Sequence, residues 1–132
     1  SPTGNELNGV TFGNDIFVGV GVSGNIVRST DNGSTFDNVT SPITQYIQDV
    51  TFGNNTFVGV GQSGNIVRST DNGSSWDNAT SPTGNNLNGV TFGNNTFVGV
   101  GHSGTIVRST DNGSSWDNVT SPTADYLLGV TF

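Results

Sequence analysis

Cysteine, methionine and lysine are absent from this chain, and histidine and glutamate occur once each. Without cysteine there is neither a disulfide framework nor a thiolate metal site, and redox chemistry carries no information on compartment. Cations are as scarce: three arginines against ten acids leave a net charge of −7. That excludes the basic stripe on which a nucleic-acid partner depends and disfavours a polyanionic ligand. No apolar run approaches the roughly 20 residues of a membrane helix, so membrane insertion is not expected, and no signal-peptide pattern opens the chain. With 30% hydrophobic and 10% charged residues, the composition fits neither a helical bundle nor a highly charged disordered segment.

What the chain does have is glycine, 20 in 132 residues, and repetition. Ile66-Val67-Arg68-Ser69-Thr70-Asp71-Asn72-Gly73-Ser74-Ser75-Trp76 recurs nearly unchanged at 26–36 and 106–116. Residues 1–40, 41–80 and 81–120 align without a gap, and 121–132 begin a fourth copy. A period of about 40 residues marks a repeat architecture whose single unit is too small to bury its own apolar face. Because Ser1-Pro2 matches Ser41-Pro42, the segment is expected to be an excerpt of something longer.

In the second copy, Ile47, Val50 and Phe52 form a first apolar strand ending at the turn cluster Gly53-Asn54-Asn55. Phe57 to Gly61 is a second, closing at Gln62-Ser63-Gly64. Asn65 to Thr70 is a third; it runs into Asn72-Gly73, the strongest short hairpin signal, because both central residues of a type I′ turn need positive φ. Ser75 to Ala79 is a fourth, and Pro82 after it cannot donate to a ladder. Adjacent Ile66 and Val67 put apolar groups on both faces of the third strand, as for a sheet covered on either side. Four antiparallel strands per unit with no helix-period segment is the layout of a β-propeller blade. A β-solenoid fits less well, since its coils are usually shorter and join parallel strands. The expected fold is all-β, with blades at 1–40, 41–80 and 81–120 and the first strand of a fourth at 121–132.

Ser-Thr-Asp-Asn-Gly-Ser-Ser-Trp at Ser69–Trp76 and Ser109–Trp116 resembles the Asp-box, or bacterial neuraminidase repeat, of pattern Ser-x-Asp-x-Gly-x-x-Trp. Ser29–Phe36 departs only in placing Phe36 where the pattern has tryptophan, which removes the indole N–H. The flanking Leu-x-x-Val-x-Phe and Phe-Val-Gly-Val-Gly segments look like blades of photosystem II assembly-factor-like propellers. The resemblance implies that Asp31, Asp71 and Asp111, with Gly33, Gly73, Gly113, Phe36, Trp76 and Trp116, are structural parts of the hairpin between third and fourth strands. The residues agree, since a carboxylate beside Asn-Gly can accept backbone N–H bonds across its turn. One carboxylate per turn falls short of the six to eight oxygens of a calcium site, so no metal or cofactor is expected.

Three arginines evoke the carboxylate clamp of a sialidase, but Arg28, Arg68 and Arg108 occupy one equivalent repeat position, and Glu6 is the sole glutamate. An Asn72-Gly73 turn instead sets Arg68 opposite Asp77, Arg28 opposite Asp37 and Arg108 opposite Asp117, so a cross-strand ion pair is expected in each blade. His102, the single histidine, builds no zinc site and has no neighbouring nucleophile. A glycosidase needs two carboxylates; Glu6 and Asp125 are the available pair and lie at opposite ends of the chain.

Differences between copies crowd into 3–8, 43–48, 83–88 and 123–128, joining fourth to first strands, and into Val22, Gln62 and His102, joining second to third. In antiparallel blades these connections share one end, opposite the Asn-Gly turns. A ligand is therefore expected at Gln45, Tyr46, Gln62, Asn85, Asn86, His102, Asp125 and Tyr126, whose rings and amides suit a glycan or a protein surface. Drift in surface loops after duplication is the plainer reading. The eight Asn-x-Ser/Thr sequons, at Asn32, Asn38, Asn54, Asn72, Asn78, Asn94, Asn112 and Asn118, read first as turn chemistry multiplied by copying.

The expectation is a non-enzymatic propeller module for binding or assembly, or else a scaffold or filament subunit, on an extracellular or cell-surface protein given its Asn-, Ser-, Thr- and Gly-rich, lysine-free composition. Propellers usually close with four to eight blades, so three need further blades of the parent chain or further copies of the chain, as a homo-oligomer or filament.

Overall fold

The computed structural model describes residues 3–132; the Ser1-Pro2 match lies outside the described residues. Twelve strands form three separate four-stranded antiparallel sheets in simple meander order. The first holds β1 (Leu7–Gly13), β2 (Ile16–Gly21), β3 (Ile26–Ser29) and β4 (Asp37–Val39). The second holds β5 (Ile47–Gly53), β6 (Thr56–Gly61), β7 (Ile66–Ser69) and β8 (Asp77–Ala79), and the third β9 (Leu87–Gly93), β10 (Thr96–Gly101), β11 (Ile106–Ser109) and β12 (Asp117–Val119). This is part of a β-propeller, one sheet per repeat.

Turn chemistry sets each hairpin. The first two strands of each blade are joined by two residues in the left-handed region, such as Asn54 at φ 48° and Asn55 at φ 59°. Both central residues of a type I′ turn need that geometry, and asparagine tolerates it. The third loop is wider than expected. Asn72 and Gly73 have φ 61° and 80°, and Ser74 N–H donates to the Asp71 carbonyl at 3.3 Å, yet the ladder stops at Ser69 and resumes only at Asp77. The register still sets Arg68 opposite Asp77, Val67 opposite Asn78 and Ile66 opposite Ala79. Ser75 and Trp76, expected in the fourth strand, belong to the loop instead.

The core lies between sheets. One layer joins Val18, Val20 and Ile26 of the first blade to Ile47, Val50, Val67 and Trp76 of the second. Another joins Val58, Val60 and Ile66 of the second to Leu87, Val90, Val107 and Trp116 of the third. Each blade therefore has an outgoing face, built from its second and third strands, and an incoming face on which its first strand leads. Full burial of such a side chain contributes about 1.5–3 kcal/mol, so these layers dominate cohesion. Backbones approach closely where they do: a Cβ on Gly13 would stand 2.1 Å from the ring of Phe52, and one on Gly53 2.1 Å from that of Phe92. Only glycine leaves room there for the next blade's phenylalanine.

Residues 121–132, expected to form a strand, join no ladder. They have no hairpin partner, but lie against the third blade as β5 lies against the first. Phe132 covers Gly93, and Asn88 Nδ2 donates to the Leu127 carbonyl at 2.9 Å, as Asn8 Nδ2 does to that of Ile47 at 3.1 Å.

Candidate functional site

The two ends of the blades are chemically different. At one end the aspartate loops are closed on themselves. Ser69 Oγ donates to Asp71 Oδ1 at 2.8 Å and accepts from Gly73 N–H at 2.9 Å. Ser75 N–H donates to Asp71 Oδ1 at 2.9 Å and Ser75 Oγ to Oδ2 at 2.5 Å. The same bonds recur around Asp111 and, with Thr35 replacing Ser75, around Asp31. Donors on both oxygens favour the ionised form. Hydrogen bonds from the Thr35 hydroxyl, the Thr35 N–H and the Ser29 hydroxyl lower the Asp31 pKa from 3.8 to about 2. The Ser75 hydroxyl and N–H lead the same fall to about 2 at Asp71, and those of Ser115 at Asp111. Each carboxylate is thus occupied within its own loop, and among the described residues no group of three or more His, Asp or Glu is placed to hold a metal.

The indole closes the loop from below. Trp76 Nε1 donates to the Gly73 carbonyl at 3.0 Å and Trp116 Nε1 to that of Gly113 at 2.9 Å; Phe36 has no such proton. Asn14 Nδ2 ties the turn of one blade to Asn72 Oδ1 of the next at 3.0 Å, and Asn54 repeats this with Asn112 at 3.2 Å.

The arginines correct the expected ion pairs. Arg28 does face Asp37, Arg68 faces Asp77 and Arg108 faces Asp117 across their ladders. Two of them bond elsewhere: Arg28 Nε donates to the Asn72 carbonyl at 2.7 Å, and Arg68 Nε to that of Asn112 at 2.9 Å. A long side chain on an outgoing face reaches an otherwise unpaired turn carbonyl more readily than an exposed carboxylate that water already satisfies.

The divergent residues lie at the other end. Gly61 lets the chain entering the first strand come close, for its Cβ would stand 2.0 Å from the Tyr46 carbonyl. Gln62 N–H donates to that carbonyl at 3.0 Å, and His102 N–H to the Asn86 carbonyl at 2.9 Å. Blade to blade, Ser63 N–H donates to Asn86 Oδ1 at 2.8 Å, and the rings of His102 and Tyr126 stack 4.2 Å apart at 7°. Tyr46, Gln62, Asn86, His102 and Tyr126 thus lie in a row along this end, linked by backbone bonds and by the one ring stack, with both tyrosines exposed. Asn85 turns aside, its Nδ2 donating to Thr105 Oγ1 at 2.9 Å. Gln45 and Asp125 are exposed beside the row. Sequence reasoning missed Ser63, which is the same in every copy and acts through its backbone, and Thr105, although its replacement of the Asn25 and Asn65 of the other copies is a difference that marks it.

A cavity of 860 Å³ lies on the incoming side of the first blade, lined by Leu7, Val10, Val27, Gly33 and Phe36 among others.

No protein-family model matches the chain, and no curated protein does. Solved structures match closely in shape. YCF48 bound to D1 peptide superposes with a TM-score of 0.69 at 16% identity, over 95% of this chain and 42% of that one. A chain of a nidogen/laminin complex gives 0.77 at 12% identity, over 97% and 53%. A GH74 enzyme of Niastella koreensis gives 0.68 at 25% identity, over 94% and 19%. The fold is that of a propeller. The chain spans less than half the length of the YCF48 and GH74 chains, and one architecture serves both a peptide complex and an enzyme.

Proposed function

We propose that this chain is a segment of an Asp-box β-propeller that binds an extended peptide or protein surface, without catalysis, through the row Tyr46–Gln62–Asn86–His102–Tyr126. The observation that carries the reading is the coincidence of divergence and placement: copies otherwise nearly identical differ at the end where Asn86 accepts from the Ser63 N–H of the preceding blade and Tyr126 stacks on His102. Exposed tyrosines supply large contact area at low conformational cost, and the amides supply directional hydrogen bonds. A D1 peptide bound to YCF48 and a laminin complex of nidogen support a peptide or protein partner. Glu6 and Asp125 belong to the first blade and to the segment after the third, a separation unsuited to paired acid and base work across one glycosidic bond. The composition supports an extracellular or cell-surface setting.

Panning the folded chain against a peptide-display library and, in parallel, a glycan array tests this. Peptide binding weakened about tenfold or more by Tyr46→Ala with Tyr126→Ala, and unchanged by Arg28→Leu at the other end, is the expected result. Selective glycan capture would replace the partner class, and binding indifferent to both tyrosines would remove the site.

A further inference from the structure

The contact between one blade and the next is made twice inside this chain from the same residues, and each half of it is also present unmatched. The incoming half is unmatched on the first blade. Val50 and Val90 are 4% and 5% exposed, whereas Val10 is 65% exposed, and Leu7 and Phe12 are exposed with it. A Cβ on Gly73 would touch Val18 at 3.2 Å and Arg28 at 3.6 Å, and one on Gly113 Val58 at 3.3 Å and Arg68 at 3.4 Å; one on Gly33 would meet only Phe17 of its own blade, at 4.0 Å. The 860 Å³ cavity is the space where a preceding outgoing face would fit.

The outgoing half is unmatched on the third blade. Val98 and Ile106 are half-buried where Val58 and Ile66 are buried, and Arg108 is exposed where Arg28 and Arg68 are half-buried against the carbonyl they bond. Residues 121–132 fill part of that face, and only the part that a first strand fills. Leu127 N–H donates to the Gly101 carbonyl at 2.9 Å, Gly129 approaches Gly89, and Phe132 covers Gly93. They bring no aspartate loop, and among the described residues no turn carbonyl accepts from Arg108 as those of Asn72 and Asn112 accept from Arg28 and Arg68. Residues 121–132 repeat 1–12, with Leu127, Gly129, Val130, Thr131 and Phe132 matching Leu7, Gly9, Val10, Thr11 and Phe12.

We propose that residues 121–132 occupy the seat of a second copy's β1, and that the chain associates head to tail when a first blade displaces them. The partner then adds what the segment lacks: its Asn32 carbonyl accepts from Arg108, as the Asn72 carbonyl does from Arg28, and its Gly33 loop closes over Val98. The tethered segment competes at an effective concentration of the order of millimolar, so exchange is set by concentration and by how firmly the segment is seated. The contact is heterologous, with unlike faces on the two copies, so it builds rings or open stacks and not a symmetric pair.

Sedimentation velocity on the full chain tests this. Phe132→Ser with Leu127→Asp loosens the segment without touching either face, and should lower the concentration for half-association about tenfold or more. Val10→Asp, at an exposed position, blocks the incoming face and should abolish that association when added to the loosened chain. Arg108→Glu with Val98→Asp, on the same background, blocks the outgoing face; the two blocked chains should each remain monomeric and form a heterodimer when mixed. A loosened chain that stays monomeric at all concentrations overturns the proposal. So does association that Val10→Asp leaves intact, and so do blocked chains that fail to complement while circular dichroism shows both folded.

Discussion

β1 and β9 are the same seven residues, Leu-Asn-Gly-Val-Thr-Phe-Gly, in the same hairpin. Yet Leu87 is fully buried and Leu7 43% exposed, Val90 5% and Val10 65%. The hairpins differ only in Asp15-Ile16 against Asn95-Thr96, at the turn and away from Leu7 and Val10. What differs is that β9 has the outgoing face of the second blade in front of it, while β1 has none in this chain. In a repeat protein the burial of a residue is a property of its neighbour as much as of its own sequence, and stability is close to a sum of blade and interface contributions. Equal substitutions in the two strands should therefore have unequal effects.

The largest contrast is expected at the valines. Val90→Asp buries an unpaired charge and should cost more than about 3 kcal/mol in urea unfolding, while Val10→Asp should stay within about 0.5 kcal/mol. Next come the loop aromatics. Trp76→Phe leaves the Gly73 carbonyl without its indole donor and loses volume, for about 1–2 kcal/mol, and Phe36→Trp should gain up to about 1 kcal/mol by supplying that donor. If Phe36→Trp destabilises, the first loop differs from the others in more than its aromatic. Then the arginines: Arg68→Leu removes a charged donor from the Asn112 carbonyl and should cost about 1 kcal/mol, whereas Arg108→Leu should cost less than about 0.5 kcal/mol.

The smallest contrast is in acid. Asp31, Asp71 and Asp111 have folded pKa values lowered to about 2 from 3.8. A depressed carboxylate stabilises the fold above its unfolded pKa, and that contribution is lost as pH falls through the folded one. The melting temperature should therefore drop between pH 4 and about 2, and Asp71→Asn should flatten part of that drop. The loops face solvent, so the effect of each is modest.

How much of this was legible beforehand follows from what sequence encodes. Local rules were enough for the meander: Asn54-Asn55 names its own turn, and Asn72-Gly73 implied the register that pairs Arg68 with Asp77. Ile66 beside Val67 announced a sheet buried on both faces. Contacts between sheets were not legible in that way, because intrasheet register does not say which residue of the next blade a side chain meets. The register makes Asp77 the expected partner of Arg68, which crosses instead to Asn112. The sequence places Gly53 in a turn cluster and does not reveal that Phe92 fills the space beside it. For the binding end, comparing copies pointed to Gln62, Asn86 and His102, but that Tyr126 stacks on His102 depends on the path of a loop.

Amide hydrogen exchange on dilute, monomeric protein tests most directly the claim that each blade is held by the face of the one before. Because β1 and β9 share one sequence, intrinsic exchange rates match from Asn8 and Asn88 onward, and any difference there is due to surroundings. Amides of Leu7–Gly13 should exchange at least about tenfold faster than those of Leu87–Gly93. Equal protection of the two strands would contradict the account.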